Sequence, residues 1–207
     1  MGCGDYPEHR GCQDRASWQL RAFSPLPARS FLQYNARSMS DRSSDLSKPL
    51  VGILTGSPSD LPVVEKAQEV LAALGVKSEL VVLSAHRTPE LVTQYLAAAP
   101  KRGVEVFIAC AGMAAHLAGA VAAQTLLPVI GVPLASGALN GLDALLATVQ
   151  MPPGIPVATV AVDGAKNAAY LAARIVAAGR PAISDKLAAD LAEQRSRYDS
   201  PDKPRVR

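Results

Sequence analysis

From Leu50 onward, short apolar runs alternate with longer segments in which apolar residues recur at the spacing of an α-helix. Near-continuous apolar runs are typical of strands that are buried on both faces, as in a parallel sheet between two helix layers. The predicted strands are 51–55, 79–83, 104–109, 128–132 and 157–162. The predicted helices are 61–74, 89–103, a short one through His116 and Val121, 141–150 and 165–178. The pattern therefore predicts an α/β three-layer sandwich with a five-stranded parallel sheet.

The residues that precede this alternation have a different character. Residues 1–48 are rich in Arg, Ser, Asp and Pro, and their apolar residues follow no period, so they cannot bury much surface. This stretch is expected to be either a disordered extension or a mis-assigned start, in which case translation begins at Met39 rather than Met1. A transit peptide is a third interpretation, which the acidic residues of the stretch disfavour.

Two further regions complete the predicted organisation. Residues 49–183 contain all the predicted strands and form the α/β domain. The Gly-Arg-Pro sequence at 179–181 is expected to end the last helix of that domain. Residues 184–207 carry an amphipathic stretch with Leu187 and Leu191, which predicts a C-terminal helix and tail with an apolar face for packing on a neighbouring subunit.

Composition narrows the classes of function. The net charge of +3 is not concentrated in one region, and aromatic residues make up only 4% of the chain, so no nucleic-acid partner is expected. No apolar run approaches the roughly 20 residues that cross a bilayer, so no membrane anchoring is expected. The three cysteines form no disulfide framework, and no Cys/His cluster suggests a metal site. A reducing, cytoplasmic compartment is the simplest interpretation.

The ends of the predicted strands carry the polar residues of a candidate ligand site, since ligands bind beyond the carboxyl ends of parallel strands. The first strand runs directly into Gly-Ser-Pro-Ser-Asp at 56–60, and a helix follows. A helix N-terminus attracts anions through its free backbone N–H groups, and the hydroxyls of Ser57 and Ser59 add donors. The alternative is a well-capped turn, with Asp60 as the N-cap and Pro62 in the first turn, because capping uses the same residue types.

The second and third strand ends contribute acid–base and cationic side chains. His86 is a candidate general acid/base, since an unperturbed histidine titrates near ~6.5, or else a loop histidine bonded to the backbone. Arg87 is a candidate phosphate ligand, because a guanidinium binds oxyanions bidentately, or else a member of a surface ion pair. His116 begins an Ala-rich helix, where a capping or packing role is the alternative to a site role. Cys110 is expected to be a small core residue.

The fourth strand-end loop adds Ser136 and Asn140 to these candidates. The common nucleotide motifs do not account for the four loops. The first strand is followed neither by a GxGxxG dinucleotide fingerprint nor by the GxxxxGKS/T phosphate loop of Walker-type nucleotidases. The convergence of polar loops at one edge of the sheet is therefore more informative than any one of them.

Six stretches of the sequence together resemble one known family. They are GSPSD, SAHRTP, AGMAAHLAG, PVIGVPL, SGALNGLDALLATVQMPPGIPVATV and GAKNAAYLAA, in this order between about residues 50 and 180. On these motifs the chain resembles the N5-carboxyaminoimidazole ribonucleotide mutases, also called the catalytic subunit of phosphoribosylaminoimidazole carboxylase, of the bacterial mutase type. The resemblance implies a flavodoxin-like domain and a purine-biosynthesis isomerase that moves a carboxylate from N5 of the substrate to C4 of the imidazole.

The resemblance also implies roles for single residues. Ser57, Asp60 and Arg87 match the residues that bind the nucleotide. Ser59 matches a further serine near the transferred carboxylate. His86 matches the proton shuttle, which would protonate the leaving nitrogen and later remove the proton from C4.

Two more residues are expected at the substrate. Ser84 shares the loop of His86, and His116 matches a histidine near the site of the family, which leaves a site-wall role and a packing role open. The resemblance implies no metal, no ATP and no other cofactor. It further implies a homo-octamer in which active sites are shared between subunits.

The chain departs from the common family pattern at Cys110, Met113 and Ala118, where many members carry Gly, Gly and Pro. Met113 is expected to narrow the region that holds CO2. Two rival functions stay open: direct carboxylation of aminoimidazole ribonucleotide with CO2, and nucleotide binding without chemistry by a flavodoxin-like protein. Two motifs favour the mutase over the direct carboxylase. One is SAHR, which has arginine rather than lysine as its last residue, and the other is AAHL.

Overall fold

The computed structural model describes residues 46–198. Its strands are β1 (Val51–Thr55), β2 (Ser78–Val82), β3 (Val106–Gly112), β4 (Val129–Leu134) and β5 (Ala158–Thr159). Its α-helices are α1 (Leu61–Ala73), α2 (Pro89–Arg102), α3 (Leu117–Ala122), α4 (Leu142–Val149), α5 (Ala165–Ala177) and α6 (Pro181–Ser196). A short 3₁₀ helix, Pro58–Asp60, joins β1 to α1. The predictions for residues 1–45 and for the tail beyond residue 198 lie outside the described residues.

The strands form one parallel sheet in the order β2-β1-β3-β4-β5. This is the strand order of flavodoxin-like folds, in which helices cover both faces of the sheet. The predicted fold class is therefore confirmed. The register brings Thr55, at the end of β1, level with Cys110 of β3, and Cys110 level with Val132 of β4. The loops after these strands therefore leave the sheet at the same edge.

Alternating side chains of the strands fill two cores, one on each face of the sheet. On one face, Ile53 and Ile108 belong to a cluster that includes the buried stripes of α1 and α5. On the other face, Leu54 and Phe107 belong to a cluster that includes α2 and α3. The buried stripe of α5 consists mainly of alanines, so its backbone packs close to the sheet. Both faces of the central strands are thus fixed by helices, which holds their loops in place.

Ion pairs connect helices to strands at the amino end of the sheet. Arg180, between α5 and α6, is buried and donates two hydrogen bonds to the carboxylate of Glu105, at 2.6 and 3.1 Å. It also donates to the carbonyl oxygen of Val176 at 2.7 Å. Arg102 of α2 donates from Nε to Glu79 of β2 at 3.0 Å. These contacts tie the ends of α2 and α5 to the strands beneath them.

Strands β3 and β5 differ from the predicted strands. β3 continues to Gly112, through residues predicted as a turn, because β4 continues beside it as far as Leu134. β5 is reduced to Ala158–Thr159, instead of 157–162, since only these residues pair with β4. The loop after β3 consequently begins at Met113 rather than at Cys110.

Two helix predictions also need correction. α6 begins at Pro181 rather than Ser184, because the left-handed Gly179 (φ 83°) follows α5 and Pro181 suits the first turn of the next helix. The apolar spacing of α2 also predicts that Leu91 is buried with Val92, and this prediction is wrong, since Leu91 is 47% exposed. The buried residues of α2 recur instead at i, i+4 and i+7, and they are Val92, Leu96 and Ala99.

The C-terminal helix α6 packs on its own domain. Its buried residue is Ile183, which joins the core on the side of α1 and α5. Tyr170 of α5 donates a hydrogen bond to Asp190 of α6 at 2.9 Å. Packing of α6 on a neighbouring subunit stays a prediction. No helix among residues 46–198 is long and apolar enough to span a bilayer, and no metal-binding group of three or more His, Cys, Asp or Glu occurs in this range.

Candidate active site

The loop after β1 is folded around Asp60. Thr55, the buried last residue of β1, donates a hydrogen bond from Oγ1 to Asp60 Oδ2 at 3.1 Å. Ser59 Oγ donates to Oδ1 of the same carboxylate at 3.2 Å. Ser57 is the cap of the 3₁₀ helix, because its Oγ accepts from the backbone N–H of Ser59 at 3.3 Å. Asp60 occupies the predicted N-cap position of α1, but its carboxylate makes no cap hydrogen bond and accepts from the two hydroxyls instead.

The loop after β2 is a closed turn between Ser84 and Thr88. Thr88 Oγ1 accepts from the backbone N–H of Ser84 and donates to the carbonyl oxygen of Ser84, both at 3.1 Å. Ser84 Oγ accepts from the backbone N–H of Arg87 at 3.3 Å. These bonds satisfy the polar groups of the turn internally. The side chains of His86 and Arg87 are left exposed on it.

Arg87 joins the first two loops while keeping its charge available. Its Nη2 donates a hydrogen bond to the carbonyl oxygen of Gly56 at 2.7 Å. Within residues 46–198, no carboxylate forms an ion pair with Arg87. The alternative of a surface ion pair is therefore wrong. A guanidinium has five N–H donors, and an anion placed beside Arg87 can accept from those that Gly56 leaves.

His86 and His116 form a hydrogen-bonded pair that links the second loop to the third. His86 Nε2 lies 2.9 Å from His116 Nδ1, and the ring planes are nearly perpendicular at 88°. One ring must donate and the other accept, so the state of each ring restricts that of the other. His86 is thus not merely bonded to the backbone. His116 is exposed and makes no side-chain cap bond at the start of α3, so the capping and packing alternatives are wrong for it.

The four strand-end loops enclose a cleft of about 500 Å³. Six of the residues predicted to act on the substrate line it, and they are Ser57, Ser59, Asp60, Ser84, His86 and Arg87. His116, also predicted at the substrate, does not line the cleft but is hydrogen-bonded to His86, which does. The lining is completed by residues from the end of β3 and from the third and fourth loops, including Gly112, Met113 and Ser136. Asn140, the other candidate of the fourth loop, does not line the cleft.

Two hydroxyl residues that position the site were not singled out from the sequence. Thr55 orients Asp60, and Thr88 closes the turn that carries His86 and Arg87. Their positions in the sequence could have indicated both residues. Thr55 is the last residue of a predicted strand, and Thr88 comes directly before the proline that opens a helix. What the sequence does not reveal is which neighbouring group each hydroxyl binds.

Cys110 and Ala118 belong to the core rather than to the cleft. Both are buried, and the prediction of Cys110 as a small core residue is confirmed. Burial, with a smaller contribution from the carboxylate of Asp60, raises the pKa of the Cys110 thiol to about 12. The thiol is therefore protonated at neutral pH and is not a nucleophile. Of the three departures from the family pattern, only Met113 lines the cleft.

Known proteins share this fold and these loops. The AIR carboxylase family matches residues 50–197. The N5-carboxyaminoimidazole ribonucleotide mutase of Pyrococcus horikoshii is 60% identical over 140 residues, which are 68% of this chain and 79% of that protein. The phosphoribosylaminoimidazole carboxylase of Ogataea methanolica is 52% identical over 149 residues, which are 72% of this chain but only 27% of that protein.

A solved structure is similar to this chain in both fold and sequence. The crystal structure of Treponema denticola PurE matches with a TM-score of 0.68 and 32% sequence identity, over 73% of this chain and 94% of that chain. The family match runs from before β1 to the end of α6 and includes all four strand-end loops. The chain therefore belongs to the AIR carboxylase family, together with the N5-carboxyaminoimidazole ribonucleotide mutases that it matches.

Proposed function

We propose that this protein is an N5-carboxyaminoimidazole ribonucleotide mutase, a purine-biosynthesis enzyme that forms 4-carboxyaminoimidazole ribonucleotide. The observation that carries the proposal is the hydrogen-bonded pair of His86 and His116 beside a cleft that also presents Arg87. Transfer of a carboxylate between two atoms of a nucleotide needs a proton-transfer group and a cation for the phosphate. These groups lie on the loops after β2 and β3, which flank the loop after β1 at one edge of the sheet.

The reaction has two half-steps, and His86 serves both. In the first, the bond between N5 and the carboxylate carbon breaks, its electron pair stays on nitrogen, and nitrogen takes a proton from His86. The products are CO2 and aminoimidazole ribonucleotide. In the second, C4 attacks CO2 to form the new carbon–carbon bond, and the C4 proton passes to His86. The histidine ends in its starting state, as a general acid that then acts as a general base.

Binding of the nucleotide is assigned to the first two loops. Arg87 binds the phosphate, because it is an exposed guanidinium whose charge no described carboxylate neutralises. Asp60 accepts from hydroxyl groups of the ribose, since a carboxylate is an acceptor and its two oxygens are already oriented by Thr55 and Ser59. Ser57 adds a hydroxyl beside them. Contacts far from the reacting atoms supply the binding energy that positions the imidazole.

His116 is assigned as the positioning residue of His86. Its Nδ1 lies 2.9 Å from His86 Nε2, so it holds the His86 ring and restricts which nitrogen carries the proton. Replacing His116 with asparagine keeps a hydrogen-bonding side chain, whereas phenylalanine removes the bond. We expect kcat to fall about tenfold for His116→Phe and less for His116→Asn. Equal losses in both variants contradict a role through this bond.

Direct carboxylation of aminoimidazole ribonucleotide is the second candidate, since the Ogataea methanolica relative is named a carboxylase. The two functions differ in where CO2 comes from. The mutase converts the N5-carboxylated substrate in buffer that has been purged of bicarbonate, because the substrate carries its own carboxylate. A direct carboxylase needs added bicarbonate. If the protein converts neither substrate, both enzyme activities are excluded. The remaining alternative is then a protein that binds nucleotides without chemistry.

We further propose a homo-octamer with shared active sites, which an unpartnered apolar stripe supports. The apolar stripe consists of Leu139, Leu142, Leu146 and Val149, spaced three, four and three residues apart on α4 and its approach. Each of these side chains is about half exposed in the single chain. Light scattering tests this assembly, and Leu142→Glu with Leu146→Glu should yield smaller particles. Leu126→Glu, at an exposed leucine outside the stripe, is the control; a wild-type monomer contradicts the assembly.

A cytoplasmic location goes with the proposed function. The substrate is a phosphorylated nucleotide, which does not cross a membrane unaided, so the enzyme must work where nucleotides are made. Fractionation of cells with an antibody against the native protein tests this location. Recovery of the protein in a compartment separate from nucleotide synthesis contradicts it.

A further inference from the structure

Met113 has a backbone conformation that its side chain does not favour. Its φ is 53°, in the left-handed region where Cβ crowds the following carbonyl oxygen. The other described non-glycine residues in this region are Asn140 and Asp163, whose short polar side chains tolerate it. A long apolar residue in the same conformation, at the start of a loop that lines the cleft, is a candidate for a functional role.

The Met113 side chain lies between the third and fourth loops. It is 59% exposed and lines the cleft. A Cβ atom added at Gly137 would lie 3.7 to 4.0 Å from its Cγ, Sδ and Cε atoms, so the thioether runs along the backbone of Gly137. One residue before each of these positions, Ser136 Oγ packs on Gly112, the last residue of β3, where an added Cβ would lie only 2.4 Å from the hydroxyl. The two loops thus meet, and Met113 forms the apolar part of their junction.

We propose that Met113 is the wall that retains CO2 between the two half-steps, an inference that rests on the proposed function. Once the bond to N5 breaks, CO2 carries no net charge, and the hydroxyls, Asp60 and Arg87 on the facing loops cannot hold it as they hold a carboxylate. A flexible and polarisable thioether can pack against a small uncharged molecule and exclude water from it. Met113 supplies that group in the lining of the cleft, on the same loop as His116, the hydrogen-bond partner of His86.

An isotope-retention experiment tests this role. Substrate labelled with ¹³C in the N5-carboxylate is mixed with excess enzyme for one turnover, in buffer with unlabelled bicarbonate and carbonic anhydrase. Mass spectrometry then gives the labelled fraction of the product. We expect the wild type to retain the label, and we expect Met113→Ala and Met113→Gly to raise the unlabelled fraction about fivefold or more, because CO2 escapes and exchanges.

Matched variants separate the side chain from the backbone and from folding. Met113→Leu keeps an apolar side chain of similar size and should retain the label. Leu126→Ala, at a side chain that is also 59% exposed but lies outside the cleft, should leave retention unchanged. Met113→Gly should unfold at or above the wild-type temperature, since glycine favours a φ of 53°.

The outcomes distinguish the wall from the proposed function. Product that keeps its label equally in Met113→Ala and the wild type overturns the role of Met113 and leaves the mutase standing. If only Met113→Gly loses the label, the loss comes from the altered backbone, and this result also overturns the role of the Met113 side chain. Loss of label by the wild type shows that no wall retains CO2. Absence of any product from the wild type removes the proposed function, and the inference with it.

Discussion

The two ends of the sheet use arginine in opposite ways. At the amino end, Arg180 is buried with 3% of its side chain exposed, and its guanidinium is bound to Glu105 and to the carbonyl of Val176. At the carboxyl end, Arg87 is exposed, and its described hydrogen bond goes to the carbonyl of Gly56. The charge of the first arginine is compensated by a carboxylate, whereas no described carboxylate pairs with the second, which we propose binds the phosphate.

The two ends of the sheet also differ in how their other polar groups are paired and in their backbone conformations. The amino end contains ion pairs between helices and strands, which fix the fold. The carboxyl end contains exposed histidines, hydroxyls that orient one another, and the left-handed residues Met113 and Asn140. We therefore infer that stability and the proposed ligand binding depend on separate ends of the sheet. Substitutions of residues that belong to one end alone should change one property without the other.

Replacing each arginine with methionine is the strongest test of this separation. Arg180→Met leaves the carboxylate of Glu105 partly buried without its partner, so we expect unfolding free energy to fall by about 3 kcal/mol. Arg87→Met removes no ion pair within residues 46–198, and we expect a change below about 0.5 kcal/mol. Urea unfolding of both variants measures this. Similar losses in both contradict the comparison.

Substitution of His86 should affect turnover alone. His86→Asn keeps a polar side chain on the closed turn but removes the imidazole that we propose transfers the proton, so we expect kcat to fall about 100-fold or more. Nucleotide binding should be largely unchanged, because Arg87 and the first loop remain. Steady-state kinetics with a separate binding titration checks this. Wild-type turnover in His86→Asn excludes it as the shuttle.

Thr55 connects stability with the proposed ligand binding, because it is a buried residue that orients Asp60, a proposed binding residue. Thr55→Val keeps the side-chain shape and removes the 3.1 Å hydrogen bond to Asp60. We expect a loss of about 1 kcal/mol in stability and a rise of about threefold in KM with kcat nearly constant. A fall in kcat with KM unchanged points instead to a role for Thr55 in the chemical step.

The pair of Glu79 and Arg102 should give the smallest effect. Burial is the largest single influence and favours the neutral form of Glu79, but the hydrogen bond and positive charge of Arg102, together with the Tyr95 hydroxyl, outweigh it and lower the carboxyl pKa below its ordinary value of 4.5. A lowered folded-state pKa gives stability above the unfolded pKa, and this is lost as pH falls through the folded value. Glu79→Gln should therefore cost about 0.5 kcal/mol at pH 7 and nearly nothing at pH 3. Urea unfolding at both pH values measures the difference, and an equal cost at both contradicts it.

Much of the fold could be predicted because apolar runs and helical spacing are local signals. β1 has its predicted bounds, Val51–Thr55, since it is buried on both faces and bounded by Pro49 and Gly56. The end of β3 could not be predicted, because small residues such as Ala111 and Gly112 suit a turn as well as a strand. Pairing with β4, a contact distant in sequence, decides between them.

The sequence indicated which residues belong to the candidate site, but it did not reveal how they are arranged in space. The motifs indicated His86, Arg87 and Asp60, but spacing along the chain does not reveal that His116 lies 2.9 Å from His86. The burial of Arg180 was also missed, since a Gly-Arg-Pro sequence is typical of an exposed turn. Its partner Glu105 lies 75 residues away. Contacts between distant segments depend on the whole fold, which no local pattern encodes.

The source of the transferred carboxylate tests the proposed mutase most directly. Initial rates of product formation are compared for N5-carboxyaminoimidazole ribonucleotide in CO2-purged buffer and for aminoimidazole ribonucleotide with added bicarbonate, with His86→Asn as the control for uncatalysed change. We predict that the first reaction is fast without bicarbonate, much faster than the second, and that His86→Asn abolishes the difference. Product that forms only when bicarbonate is added contradicts the mutase.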